Sequence, residues 1–116
     1  MSKFVEVGKK GDLTEGKMKL VTAEGRNILL ARLGDKFYAA DGTCPHMGGK
    51  LWEGKLEGTI VTCPLHGSQF DLSDGHVIRW TNFPSIVSAL AKVIKKPHPL
   101  KTYAVKLEGD KVLLEI

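Results

Sequence analysis

Three observations predict an all-β fold. Short runs of Val, Ile, Leu, Tyr and Phe recur along most of the chain, and Gly-Asp or Asp-Gly pairs stand between several of them. The 116 residues fit one hydrophobic core, so a single domain spanning 1–116 is expected.

The first strands are expected near Lys3–Gly8, Met18–Thr22, Asn27–Leu33 and Lys36–Asp41. Between the last two, Gly34-Asp35 separates apolar runs as a tight hairpin does. "GKLEGTIVTCP" supplies a further hairpin, with Thr59–Thr62 leading directly into Cys63. In "DLSDGHVIRW", Asp74-Gly75 marks another hairpin turn, and "KTYAVKLEGDKVLLEI" reads as two alternating strands about Gly109-Asp110.

One stretch breaks the pattern. In "FPSIVSALAKVIKKPHP", Ile86, Leu90 and Val93, with Val87 and Ile94 beside them, recur at helical spacing between Pro84 and Pro97. A short inserted helix over 84–96 is expected, packing an apolar face on the sheet. Lys92, Lys95 and Lys96 would make it a docking element if its polar face met a partner.

Composition narrows the function classes. The N-terminal "MSKFVEVGKKGDL" has no apolar signal-peptide core, and no run is long enough to cross a bilayer, so a soluble cytoplasmic protein is expected. A net charge of +4 is modest, and the lysines are scattered without an aromatic and basic stripe, which argues against nucleic acid. Two cysteines in a reducing compartment point to metal binding or catalysis before a structural disulfide.

Both cysteines precede a histidine: Cys44-x-His46 in "CPHMGG" and Cys63-x-x-His66 in "CPLHGSQF". Each half follows an expected strand, so two equivalent loops would approach one another and hold a metal centre between them. Pro45 and Pro64 stiffen the loops, while Gly48, Gly49 and Gly67 allow backbone conformations and N–H directions that other residues resist. Two cysteines and two histidines also suit tetrahedral zinc, although common zinc modules place a Cys pair before a His pair. The alternating order suits a centre with two different ends, one iron held by both cysteines and the other by both histidines.

On these paired motifs the chain resembles the Rieske iron-sulfur family, in particular its small oxygenase-type ferredoxins. The resemblance implies antiparallel sandwich or barrel-like sheets, with one [2Fe-2S] cluster per chain held by a small subdomain over about 43–71. It assigns Cys44 and Cys63 to the inner iron and His46 and His66 to the outer one. With two imidazoles in place of thiolates the oxidised centre is formally neutral, so it accepts an electron more readily than an all-cysteine cluster. Family potentials accordingly span about −150 to +300 mV, against roughly −400 mV for plant-type ferredoxins.

Departures from the family pattern sort the subclasses. Members in cytochrome bc complexes carry an extra cysteine in each loop, paired over the cluster; the matching positions here are Gly49 and Leu65. In high-potential members a serine matching Ser68 bonds a bridging sulfide and a tyrosine matching Phe70 bonds a cysteine sulfur. This chain keeps the serine and has phenylalanine at the second position, so an intermediate potential is expected.

The remaining candidates are simpler. His76 and His98 stand outside any ligand pattern and read as surface residues, whereas Met47 and Trp52 are placed to shield the loops. With no catalytic constellation or phosphate loop, the chain is expected to be an electron carrier and not an enzyme. It would act as a monomer, with a flavoprotein reductase as donor and a terminal oxygenase or other redox enzyme as acceptor, in transient complexes without membrane or nucleic acid. The rival readings are a Rieske-like small subunit of an oxidoreductase such as nitrite reductase, and a structural zinc module.

Overall fold

Alternate residues of one strand organise the molecule. In the computed structural model, which describes residues 3–44, 49–64, 67–79 and 99–116, the run Ile28-Leu29-Leu30-Ala31 is buried on both faces. Ile28 and Leu30 enter one core, and Leu29 and Ala31 enter another. An unbroken apolar run of this length is what a strand covered on both sides requires.

That strand belongs to a four-stranded middle sheet. Its strands are β2 (Met18–Ala23), β3 (Arg26–Leu33), β4 (Lys36–Asp41) and β9 (Thr102–Tyr103), in that order and antiparallel. On one side lies a three-stranded sheet in the order β1 (Phe4–Lys9), β11 (Lys111–Glu115) and β10 (Val105–Glu108). On the other, β5 (Lys55–Glu57), β6 (Ile60–Thr62), β7 (Gln69–Asp71) and β8 (Val77–Arg79) form a meander. The fold is thus all-β among the described residues, as expected, and the helix expected over 84–96 lies outside them.

Hairpin chemistry sets the registers. β3 and β4 meet at Leu33↔Lys36 across the expected Gly34-Asp35 turn. The turn between β2 and β3 is less obvious from sequence: Glu24 and Gly25 both take positive φ (52° and 75°), the primed turn that matches strand twist.

Asp74-Gly75 lies in the hairpin connection between β7 and β8, as expected. The connection is five residues long, because Leu72–His76 all lie between the two strands. The Asp71 carboxylate accepts from the Ser73 N–H (2.9 Å), and that of Asp74 accepts from the His76 N–H (2.9 Å), which lengthens the loop. Gly75 has φ 83°, and a Cβ there would lie 2.0 Å from the Leu100 carbonyl oxygen.

The segment before Gly109 departs from the single strand expected there. Thr102 and Tyr103 pair with β4 in the middle sheet, and Val105 onward pairs with β11 in the three-stranded sheet. The alternation hides this crossing because Tyr103 and Val105 both pack on the core that lies between those two sheets.

Candidate metal centre

The first cysteine loop grows from the end of β4. The Gly42 N–H donates to the Asn27 carbonyl (2.9 Å), Thr43 bridges Lys50, and the Cys44 N–H donates to the Gly49 carbonyl (2.8 Å). The chain then returns, with the Leu51 N–H donating to the Gly42 carbonyl (2.9 Å), into a 3₁₀ turn at Leu51–Glu53.

The second loop repeats this plan between β6 and β7. Thr62 pairs with Gln69, and the Cys63 N–H donates to the Ser68 carbonyl (2.8 Å). In both loops, therefore, the cysteine amide bonds the carbonyl five residues on, and its preceding residue pairs with the one seven positions later. The Gly67 N–H also returns to the Cys63 carbonyl (3.2 Å), and the Gln69 amide donates to the Thr62 hydroxyl (3.1 Å) across the neck.

The two necks touch. A Cβ on Gly54, just after the 3₁₀ turn, would sit 1.9 Å from the Thr62 carbonyl oxygen and 3.1 Å from Pro64 Cδ. That close approach is what glycine permits here. Trp52 covers the other neck, its ring 3.0 Å from the space a Cβ on Gly42 would occupy.

Cys44 and Cys63 are each only 2% exposed and lie in one core with Leu51, Val61, Phe70 and Leu72. Ser68 and Phe70 are fully buried beside them in sequence. The structure therefore places Cys44, Cys63 and Phe70 in one core between the middle and third sheets, with buried Ser68 bonded to Cys63 through its carbonyl, while His46 and His66, with Met47, Leu65 and His98, lie outside the described residues. His76 is exposed and bonds Asp74 in the β7–β8 turn, consistent with a surface role.

This donor set fits an iron-sulfur centre. Two buried thiols stand in matched hairpins on one core, and each sits in a loop that carries one histidine two or three residues later. Thiolates joined by imidazoles on the second iron are the ligand chemistry of a mixed Cys/His [2Fe-2S] site.

One contact near the site was not foreseeable locally. The Tyr103 hydroxyl donates to the Asp41 carboxylate, joining residues 62 positions apart at the base of the first loop. Burial, then the adjacent Asp41, push the Tyr103 phenol above its usual value of 10.0. Only the register Ala39↔Tyr103 exposes this pairing.

Comparison with known families agrees with the geometry: the model of the Rieske [2Fe-2S] domain matches residues 3–104. The chain belongs to the Rieske [2Fe-2S] family. It is 31% identical to the ferredoxin component of the naphthalene 1,2-dioxygenase system of Pseudomonas putida, over 98% of this chain and 96% of that protein. It is 33% identical to the biphenyl 2,3-dioxygenase ferredoxin component of Rhodococcus jostii, over 97% and 92%. A structure of reduced oxygenase with oxidised ferredoxin in carbazole 1,9a-dioxygenase contains a chain similar to it, with a TM-score of 0.76 and 27% identity, covering 96% of this chain and 91% of that one.

The Rieske match and these full-length similarities make the protein an electron carrier of the ferredoxin type, with a [2Fe-2S] cluster as its cofactor. Among the described residues no helix is long and apolar enough to cross a membrane.

Proposed function

We propose that Cys44, His46, Cys63 and His66 hold the cluster, with both thiolates on one iron and both imidazoles on the other. The observation that carries this reading is the equivalence of the two cysteine hairpins, which converge on one core with the same hydrogen-bonding frame. When bound, the cluster supplies a one-electron couple, raised in potential by its neutral imidazole ligands.

The chain's own residues do the rest. Burial of Cys44 and Cys63 among Leu51, Val61 and Phe70 excludes water from the sulfur side. The Ser68 hydroxyl, buried in the second loop, is the donor that would favour the reduced, more negative state, and Phe70 lacks the phenol that would add a second.

Similarity to the naphthalene and biphenyl dioxygenase ferredoxin components supports a cytoplasmic carrier that receives electrons from a flavoprotein reductase. The carbazole dioxygenase complex supports delivery to a terminal oxygenase. Contacts with both would be transient and the carrier monomeric.

The test is electron paramagnetic resonance of the dithionite-reduced protein, with iron and sulfide measured on the same sample. Two irons, two sulfides and a rhombic spectrum of low average g are expected. Stoichiometric zinc without sulfide would overturn the reading.

A further inference from the structure

Beside the loop necks runs a cleft that the electron-carrier reading does not use. It has a volume of about 290 Å³ and lies between the start of β2 and the 3₁₀ turn leading into β5. Met18, Trp52 and Leu56 form its floor, all partly buried and packed on the core that holds both cysteines. Among the described residues its titratable lining side chains are Lys17 and Lys55, and both are exposed.

Its position ties it to the necks of the two cysteine loops. Lys55 stands across the ladder from Thr62, which precedes Cys63. Gly54, in the cleft wall, abuts the Thr62 carbonyl and Pro64, and Trp52 covers the base of the first loop. The cleft therefore lies beside the necks of both cysteine loops.

We infer that the cleft is an anchor site for the redox partner, taking one apolar side chain of that protein flanked by carboxylates. This rests on the electron-carrier reading and deepens it. The floor offers apolar and aromatic surface of the kind that buries a single anchoring side chain. The two lysines would meet the carboxylates, speeding encounter and fixing orientation more than adding affinity. Lys55 is held at 3.5 Å by Glu57 on an exposed strand, a pair weak enough to exchange for a partner's carboxylate. A neutral apolar peptide would gain nothing from the rim, and a basic one would be repelled by it.

The experiment uses the oxidised holoprotein with ¹³C-labelled methyl groups, following Met18 and Leu56 by NMR. The probe is the peptide acetyl-Glu-Phe-Glu-amide, with acetyl-Lys-Phe-Lys-amide and acetyl-Glu-Ala-Glu-amide as controls. Saturable shifts of both methyl sets are expected with the first peptide alone. Lys17→Glu/Lys55→Glu should weaken its binding about tenfold or more, and Lys106→Glu/Lys111→Glu, equal in charge change but on the opposite three-stranded sheet, should leave it unchanged. Unmoved methyls, equal shifts with the basic peptide, or equal weakening by both double variants would overturn the assignment. Reversible reduction of the same samples by dithionite tests the carrier reading separately, so a failed cleft and a failed carrier give different results.

Discussion

Between the first and middle sheets, the core includes Leu13, Val21, Ile28, Leu30, Phe37, Val112 and Leu114, with Tyr103 contributing a hydroxyl. Between the middle and third sheets, the core has similar aliphatic partners but also takes in Cys44 and Cys63, next to buried Ser68. The same strand β3 feeds both, residue by alternate residue. Covalent continuity is therefore shared while chemistry is not, and this division implies that stability and redox properties can be altered independently.

The largest effect should come from the third-sheet side. Cys44→Ala or Cys63→Ala removes half of the proposed thiolate set and should abolish acid-labile sulfide and the reduced-state resonance, measured directly on purified protein. A variant retaining full iron and sulfide would break the ligand proposal. On the opposite side, Leu114→Ala empties a fully buried position and should cost about 2–5 kcal/mol in denaturant unfolding. Its reduction potential should match the unmodified protein; a shifted potential would break the separation of the two cores.

Ser68→Ala tests tuning without loss of the cluster. A hydroxyl donor to a site that gains negative charge stabilises the reduced form, so its removal lowers the potential. A charge-assisted hydrogen bond of about 1.5 kcal/mol corresponds to roughly 60 mV for one electron. Redox titration of the variant reads this directly, and an unchanged potential would show that the buried hydroxyl serves only the loop.

Tyr103→Phe probes a polar link between the two sides. Tyr103 packs in the first core, yet its hydroxyl reaches Asp41, three residues before Cys44. Losing that bond should cost about 1 kcal/mol, or roughly 4 °C in thermal unfolding. If the potential moves as well, the base of the first loop transmits strain to the metal centre and the comparison must be redrawn.

Much of this division was legible in the sequence. The four ligand candidates stand in two short motifs, and the run Ile28–Ala31, along with most turn pairs, reports strands through local chemistry. What was not legible depends on distant pairing. The crossing at Ala104 is silent because both flanking strands face one core, and Trp52 over Gly42 or Gly54 against Thr62 follows from how the necks pack. Asp74-Gly75 announces the β7–β8 hairpin but not its five-residue length, which follows from the Asx turns that Asp71 and Asp74 each close.

That loop also supplies the smallest expected effect and asks how far the site's chemistry extends along the third sheet. The Ser73 hydroxyl, followed by the Ser73 N–H, holds the Asp71 carboxyl below its usual value of 3.8. A carboxylate depressed on folding contributes stability above its unfolded pKa, near 3.9, and that contribution is lost as pH falls through the folded value. Ser73→Ala removes the hydroxyl donor but leaves the N–H, so the ¹³C carboxyl titration of Asp71 should move up toward the ordinary range. The reduction potential at neutral pH should stay fixed, because Asp71 remains ionised there in both proteins. A potential that followed the Ser73 substitution would instead place the β7–β8 turn within the electrostatic reach of the cluster loops.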